Sequence, residues 1–196
     1  MNSLLLRRGL QVLLSLFLIA PAFSPAADWT IDQLMQSLAQ AKPGRASFVE
    51  TKTIALLDRP ITSSGELSFT APDRLEKRTL KPKPETMLVQ GGVLQLERGR
   101  QKQSVQLQDM PELAGFIDSI RGTLSGNRAL LERSFRLKLD GPAERWTLSL
   151  LPTNPNMATM VHLIRISGAG NNVRSIDVIQ TDGDRSLMTI ERLDAR

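Results

Sequence analysis

The 196-residue chain contains no cysteine and a single histidine, His162. Without cysteine there are no disulfides, no thiolate chemistry and no lipid anchor of the kind that needs a cysteine thiol at the new N-terminus. With one histidine as well, zinc sites of the usual kinds are excluded. Aromatic residues are scarce, six Phe and two Trp, and Phe17 and Phe23 fall in the first 27 residues. The remainder are too few for base-stacking platforms. There is no Gly-x-Ser-x-Gly elbow to present a nucleophilic serine, and no repeat, linker or low-complexity tract.

The N-terminal segment has three parts. Arg7 and Arg8 precede an apolar run over residues 10–20, broken only by Gln11 and Ser15, and a Pro- and Ala-rich stretch follows. That is the pattern of a secretory signal peptide, and an apolar run of about 11 residues is too short to span a bilayer comfortably. Ala22, Ala26 and Ala27 each offer a cleavage point. The expectation is a leader over 1–27 and one soluble domain over 28–196, a length that supports a single core. Losing Arg7 and Arg8 lowers the formal charge from +5 to about +3, so the basic character is no argument for nucleic acid as a partner.

Most of the rest is short strands. Segments 48–54, 65–70, 74–80, 85–90 and 93–98 are separated by Ser64-Gly65, Ala71-Pro72-Asp73, Pro82-Lys83-Pro84 and Gly91-Gly92, all turn or strand-ending signals. In 65–71 the apolar Leu67, Phe69 and Ala71 share one face, and Glu66, Ser68 and Thr70 the other, the mark of a half-buried strand. Gly91-Gly92 can take the positive φ angles of a two-residue hairpin. Further strands are expected over 135–139, 146–150, 162–167, 173–180 and 187–192.

Helices are few. Thr30 with Gln33 makes a capping-box candidate, followed at helical spacing by Ile31, Leu34, Met35, Leu38 and Ala41 and stopped by Pro43-Gly44. A second helix is expected over 111–121 with Pro111 in its first turn, and a third from Asn127 to about residue 132. Many strands with short helices between two groups of them argue for a sandwich, barrel or open barrel.

Other motifs reduce to structure. Gly168-Ala169-Gly170 lacks a third glycine and lies between strands, so it reads as a hairpin turn. Asp182-Gly183-Asp184 lacks the remaining spacing of a calcium loop and reads as an Asp-Gly turn. His162 alternates with Ile164 and Ile166, which suits a core or rim residue better than a base or ligand. Arg74, Lys77, Arg78, Lys81 and Lys83 form a basic run offset only by Asp73, Glu76 and Glu85. It reads either as protection of an exposed strand against edge pairing or as a contact for an acidic partner or phosphate-bearing headgroups.

The ordered runs Phe48-Val49-Glu50-Thr51, Gly65-Glu66-Leu67, Ala71-Pro72-Asp73-Arg74-Leu75, Glu85-Thr86-Met87-Leu88-Val89 and Gly91-Gly92-Val93-Leu94 resemble the periplasmic lipoprotein carrier LolA and its relatives. The run from Ala71 to Leu80, with Ser119-Ile120-Arg121-Gly122-Thr123-Leu124-Ser125-Gly126 and Asp182-Gly183-Asp184-Arg185-Ser186, is similar to the divergent LolA-related branch. The resemblance implies a mainly β fold, a strongly curved antiparallel sheet left open as a half-barrel and covered by short lid helices. It also implies a monomeric periplasmic carrier without catalytic activity or cofactor. Its partners would be an acylated lipoprotein or lipid cargo, an inner-membrane transporter or exporter as donor, and an outer-membrane acceptor. A lipid-sensing adaptor like RseB, or an accessory subunit of lipid or polyene export, is the alternative. Alternation and helical spacing then place Leu67, Phe69, Leu94 and Leu96 on the sheet side of an apolar cavity, and Leu34, Leu38, Phe116 and Ile120 on the lid side. In the main carrier branch a basic residue before the Pro of the third segment helps hold the lid; here Ala71 precedes Pro72, which leaves the latch and the cargo open.

Overall fold

The computed structural model describes residues 29–193; the leader expected over 1–27 lies outside them. The first helix, α1 (Ile31–Ala39), starts where the capping box predicts: the Gln33 amide donates to the Thr30 hydroxyl at 3.2 Å, and the Thr30 amide to the Gln33 side chain at 2.9 Å. These bonds satisfy amides that a helix start otherwise leaves unpaired. Six strands follow, β1 (Gly44–Thr53), β2 (Ile61–Thr70), β3 (Arg74–Lys81), β4 (Glu85–Gln90), β5 (Val93–Arg98) and β6 (Gln101–Gln106). The chain then crosses in α2 (Pro111–Leu124) and α3 (Arg128–Glu132) before β7 (Phe135–Asp140) and β8 (Trp146–Pro152). Helix α4 (Pro155–Met160), β9 (Val161–Ala169), β10 (Asn172–Gln180) and β11 (Arg185–Leu193) complete it.

All the strands form one 11-stranded sheet, in the order β6-β5-β4-β3-β2-β1-β11-β10-β9-β8-β7. Every pairing between neighbours is antiparallel. Two meanders therefore meet where β1 pairs with β11, and the outer strands β6 and β7 stay unjoined: an open half-barrel, as the fold reading expects.

The strand boundaries teach where the sequence signals were misleading. Ser64-Gly65 is not a strand end; β2 runs through it. The Gly65 position has no room for a side chain, since a Cβ there would lie 1.9 Å from the Arg78 carbonyl oxygen, and the ladder to β3 shifts register between Ser64 and Gly65. Glycine is required by a close approach of two backbones at a bulge. Gly91 does turn the two-residue hairpin between β4 and β5, with φ of 59°. The unexpected strand is β6, whose Gln, Lys and Ser residues show no apolar alternation because it is an outer strand, mostly exposed.

The apolar faces bury in two clusters. One gathers Leu34 and Leu38 of α1 with Trp146, Leu148, Leu150, Ile164 and Ile166 of β8 and β9. The other, smaller, joins Val89 and Leu94 to Leu107, in the turn before α2, and to Ile117 of α2.

Candidate functional site: an apolar cavity between sheet and helices

Between the two clusters the sheet and helices do not meet, and a cavity of about 810 Å³ lies along the inner face of β1. Its sheet wall is built by alternation, as expected for strands with one inward face. Leu67 and Phe69 come from β2, Leu75 from β3, and Met87 and Val89 from β4. Beyond β1, Ile176 and Val178 of β10 and Met188 and Ile190 of β11 continue it. The opposite wall is α2, through Leu113, Phe116, Ile117, Ile120 and Leu124, with Met157 and Met160 of α4.

Of the side chains expected on this wall, Leu67, Phe69, Phe116 and Ile120 line the cavity. The other four do not. Leu34 and Leu38 are fully buried over β8 and β9, because α1 lies on that half of the sheet. Leu94 is closed off against α2 beside Leu107 and Ile117, and Leu96 packs at the margin of the same cluster. Among the lining residues not foreseen, Leu75, Met87 and Val89 extend the expected sheet wall, and Leu113, Ile117 and Leu124 the expected helix. Ile176, Val178, Met188 and Ile190 alternate as clearly as Leu67 and Phe69, on strands not expected there. What the pattern lacked was that β11 pairs with β1.

The basic run is divided by the same alternation. Lys77 points inward to line the cavity with Leu75, whereas Arg74 bonds to Gln90 and Glu76, and Arg78, Lys81 and Lys83 are exposed. Strand β3 lies inside the sheet between β2 and β4, so the run does not guard a sheet edge. His162 is exposed at the start of β9.

One buried charge interrupts the apolar lining. Glu50, on β1, is 5% exposed. It accepts from Lys77 at 2.5 Å, Ser186 at 2.7 Å and Ser63 at 3.3 Å, with Lys52 at 3.7 Å. The Lys77 ammonium also stands 4.9 Å from the centre of the Phe48 ring. Burial pushes the Glu50 carboxyl up, but the hydrogen bonds from Lys77 and Ser186 and the charges of Lys77 and Lys52 outweigh it and hold the group below its ordinary value. Glu50 thus stays ionised and paired in the cavity wall.

Helix α2 is fastened to the sheet by Arg121. Its guanidinium, on a side chain 14% exposed, donates to the Gly91 carbonyl at 3.2 Å and lies 3.5 Å from Asp73. Asp73 itself accepts from the Gly91 amide at 2.8 Å. Hairpin turn, β2–β3 turn and helix are tied at one point, with the basic residue on the helix and its partners on the sheet.

An open antiparallel sheet enclosing an apolar space beneath helices defines a class of half-barrel proteins, and comparison with known chains narrows it. The family model for outer membrane lipoprotein carrier protein LolA-like chains matches residues 22–192, and the protein belongs to that family. An outer-membrane lipoprotein carrier protein of Methylibium petroleiphilum is 26% identical over 192 residues, covering 97% of this chain and 89% of the relative. Among solved structures, a LolA superfamily protein from Nitrosomonas europaea aligns at 9% identity over 86% of this chain and 96% of its own, with a TM-score of 0.47. A DUF1329 family protein from Desulfovibrio piger aligns at 8% identity over 82% and 88%, with a TM-score of 0.45.

Proposed function

We propose that the protein is a periplasmic carrier that takes the acyl chains of a lipoprotein or lipid into the cavity between sheet and α2 and moves them between inner and outer membrane. The observation that carries this reading is the cavity itself, large and lined mainly by aliphatic and methionine side chains. Each methylene removed from water there contributes about 0.8 kcal/mol. Methionine and leucine walls suit flexible chains because their side chains repack readily. Membership of the carrier family supports the reading, as does the name of the Methylibium relative. The mechanism is physical: cargo is bound and released, and no bond is made or broken.

Release requires closed and open states of similar free energy. The Arg121 tie to Asp73 and Gly91 is the latch this reading assigns, with its polarity reversed relative to a basic residue on the sheet. Opening exchanges these contacts for water.

Native mass spectrometry with lipid extraction on protein purified gently from periplasm tests the proposal. The expected result is a co-purifying acylated species that is lost in Phe69→Glu or Leu67→Glu while the circular dichroism spectrum and melting curve persist. A protein that is empty, and that also takes up neither lipoprotein nor free lipid from inner-membrane vesicles, overturns carriage and favours an adaptor that reports by binding a membrane partner.

A further inference from the structure

In an antiparallel meander alternate hairpins return to the same edge of the sheet, so the β1–β2, β3–β4 and β10–β11 connections share one edge. That edge is unlike the other. Leu56 in the β1–β2 connection is 95% exposed and Leu57 beside it 49%, with Ile61 and Leu80 also exposed at the two neighbouring hairpin ends. The hairpin turns of the opposite edge, Ala71-Pro72-Asp73, Gly91-Gly92 and Gly170-Asn171, contain no large apolar residue. Isolated exposed leucines need no explanation, but a contiguous group does.

The leucine loop is held out rather than left loose. The Ala55 amide donates to the Asp184 carboxylate at 2.9 Å, and the Leu57 amide to the Ile54 carbonyl at 2.9 Å, which fixes the loop to the β10–β11 turn with its leucines outward. Around it stand Lys52, Arg59, Lys81 and Lys83, against Asp58 and against Glu85, which Arg98 pairs. Asp182 and Asp184 of the adjoining β10–β11 turn also stand against them, and accept from the Asp184 and Ala55 amides. Among the described residues Arg59, Lys81 and Lys83 form no ion pair. The cavity reaches this edge, where Lys52, Thr53 and Ile54 line it.

We propose that this edge docks on a bilayer surface bearing anionic phospholipids, with Leu56 and Leu57 entered into the headgroup–acyl boundary and Lys52, Arg59, Lys81 and Lys83 against lipid phosphates. Exposed apolar side chains beside cations, of which Arg59, Lys81 and Lys83 form no ion pair among the described residues, are the chemistry that such an interface recognises. Docking here presents the Ile54 end of the cavity to the membrane, so that an acyl chain need not cross water to enter or leave. That purpose rests on the carrier reading; the surface does not.

The test is co-sedimentation of the protein, purified from periplasm, with protein-free vesicles of phosphatidylethanolamine with or without phosphatidylglycerol. Binding is expected only with phosphatidylglycerol and should weaken as salt is raised. Leu56→Ser with Leu57→Ser should lower the partition coefficient about tenfold or more, without changing the melting curve because both side chains are exposed. Lys81→Gln with Lys83→Gln should lower it roughly tenfold and flatten its salt dependence. Arg145→Gln, which removes charge from the turn between β7 and β8 on the opposite edge, should leave it unchanged. Failure of the wild type to bind, equal losses in R145Q, or full binding by the double serine variant each overturn the proposal. Binding only to native inner-membrane vesicles, and not to protein-free ones of the same lipids, also overturns it and assigns the edge to a protein partner. Vesicle binding without co-purifying lipid would keep the docking edge and remove carriage; lipid without vesicle binding would do the reverse.

Discussion

Beneath α1 the inner faces of β8 and β9 are shut: Trp146, Leu148, Leu150, Ile164 and Ile166 are almost wholly inaccessible, and the Trp146 indole donates to the Gly170 carbonyl at 2.9 Å. Across β1, Leu67, Phe69, Leu75 and Met87, inward on β2 to β4, are of the same chemical kind yet only half-buried, because the space before them is the cavity. One half of the sheet is filled by a helix and a tryptophan. The other keeps an open apolar space. Close packing is therefore concentrated over β8 and β9 beneath α1, and the cavity occupies the part of the sheet that forgoes it.

The sharpest way to break this comparison is to truncate one large side chain on each side. Trp146→Ala should cost about 3–5 kcal/mol, since it opens a void in a closed core and strips a hydrogen bond. Phe69→Ala should cost about 1 kcal/mol or less, because the ring is already half-exposed. Urea unfolding of the two variants measures both. Equal losses would mean that the cavity wall is as tightly packed as the core, and the distinction would fall.

A smaller effect isolates the helix that separates the halves. Arg121→Ala removes the charged hydrogen bond to Gly91 and the contact with Asp73, which should weaken the docking of α2 by about 1–3 kcal/mol. Amide exchange should accelerate in α2 and not in β8 or β9. Unchanged protection of α2 would show that its apolar face, rather than Arg121, holds it down.

The smallest effect is a pH dependence confined to the cavity half. The Glu50 carboxyl is depressed in the folded protein, so the stability that it contributes is fully present above the ordinary carboxylate value and is lost as pH falls through the depressed one. Glu50→Gln should lower the neutral plateau of the melting temperature and flatten its acid limb, so that variant and wild type converge at acid pH. An unchanged acid limb would indicate that other carboxylates control it.

How much of this was legible differs from place to place for physical reasons. The capping box at Thr30 and Gln33 and the Gly91 hairpin are local interactions, complete within a few residues, and were read correctly. Strand β6 was missed because an outer strand needs backbone pairing on one side only and imposes no apolar alternation, and α4 because it is only six residues long and starts within the run Pro152-Thr153-Asn154-Pro155, which reads as a turn. Glu50 shares the inward face of β1 with Phe48 and Lys52, which the period of two allows, but nothing along the chain brings Lys77 and Ser186 to its carboxylate.

The sequence alone determined the alternating faces, the turns, the caps and the likeness to a carrier family, because each depends on neighbours in the chain. Only the tertiary structure decided which apolar residues became core and which became cavity wall. Leu34 and Leu67 are both leucines on the apolar face of their element, one helical and one strand; the first is covered on every side and the second faces open space. That difference is set by the pairing of β1 with β11 and by where α1 and α2 lie across the sheet. Both are contacts between segments far apart in the chain, which no local pattern encodes.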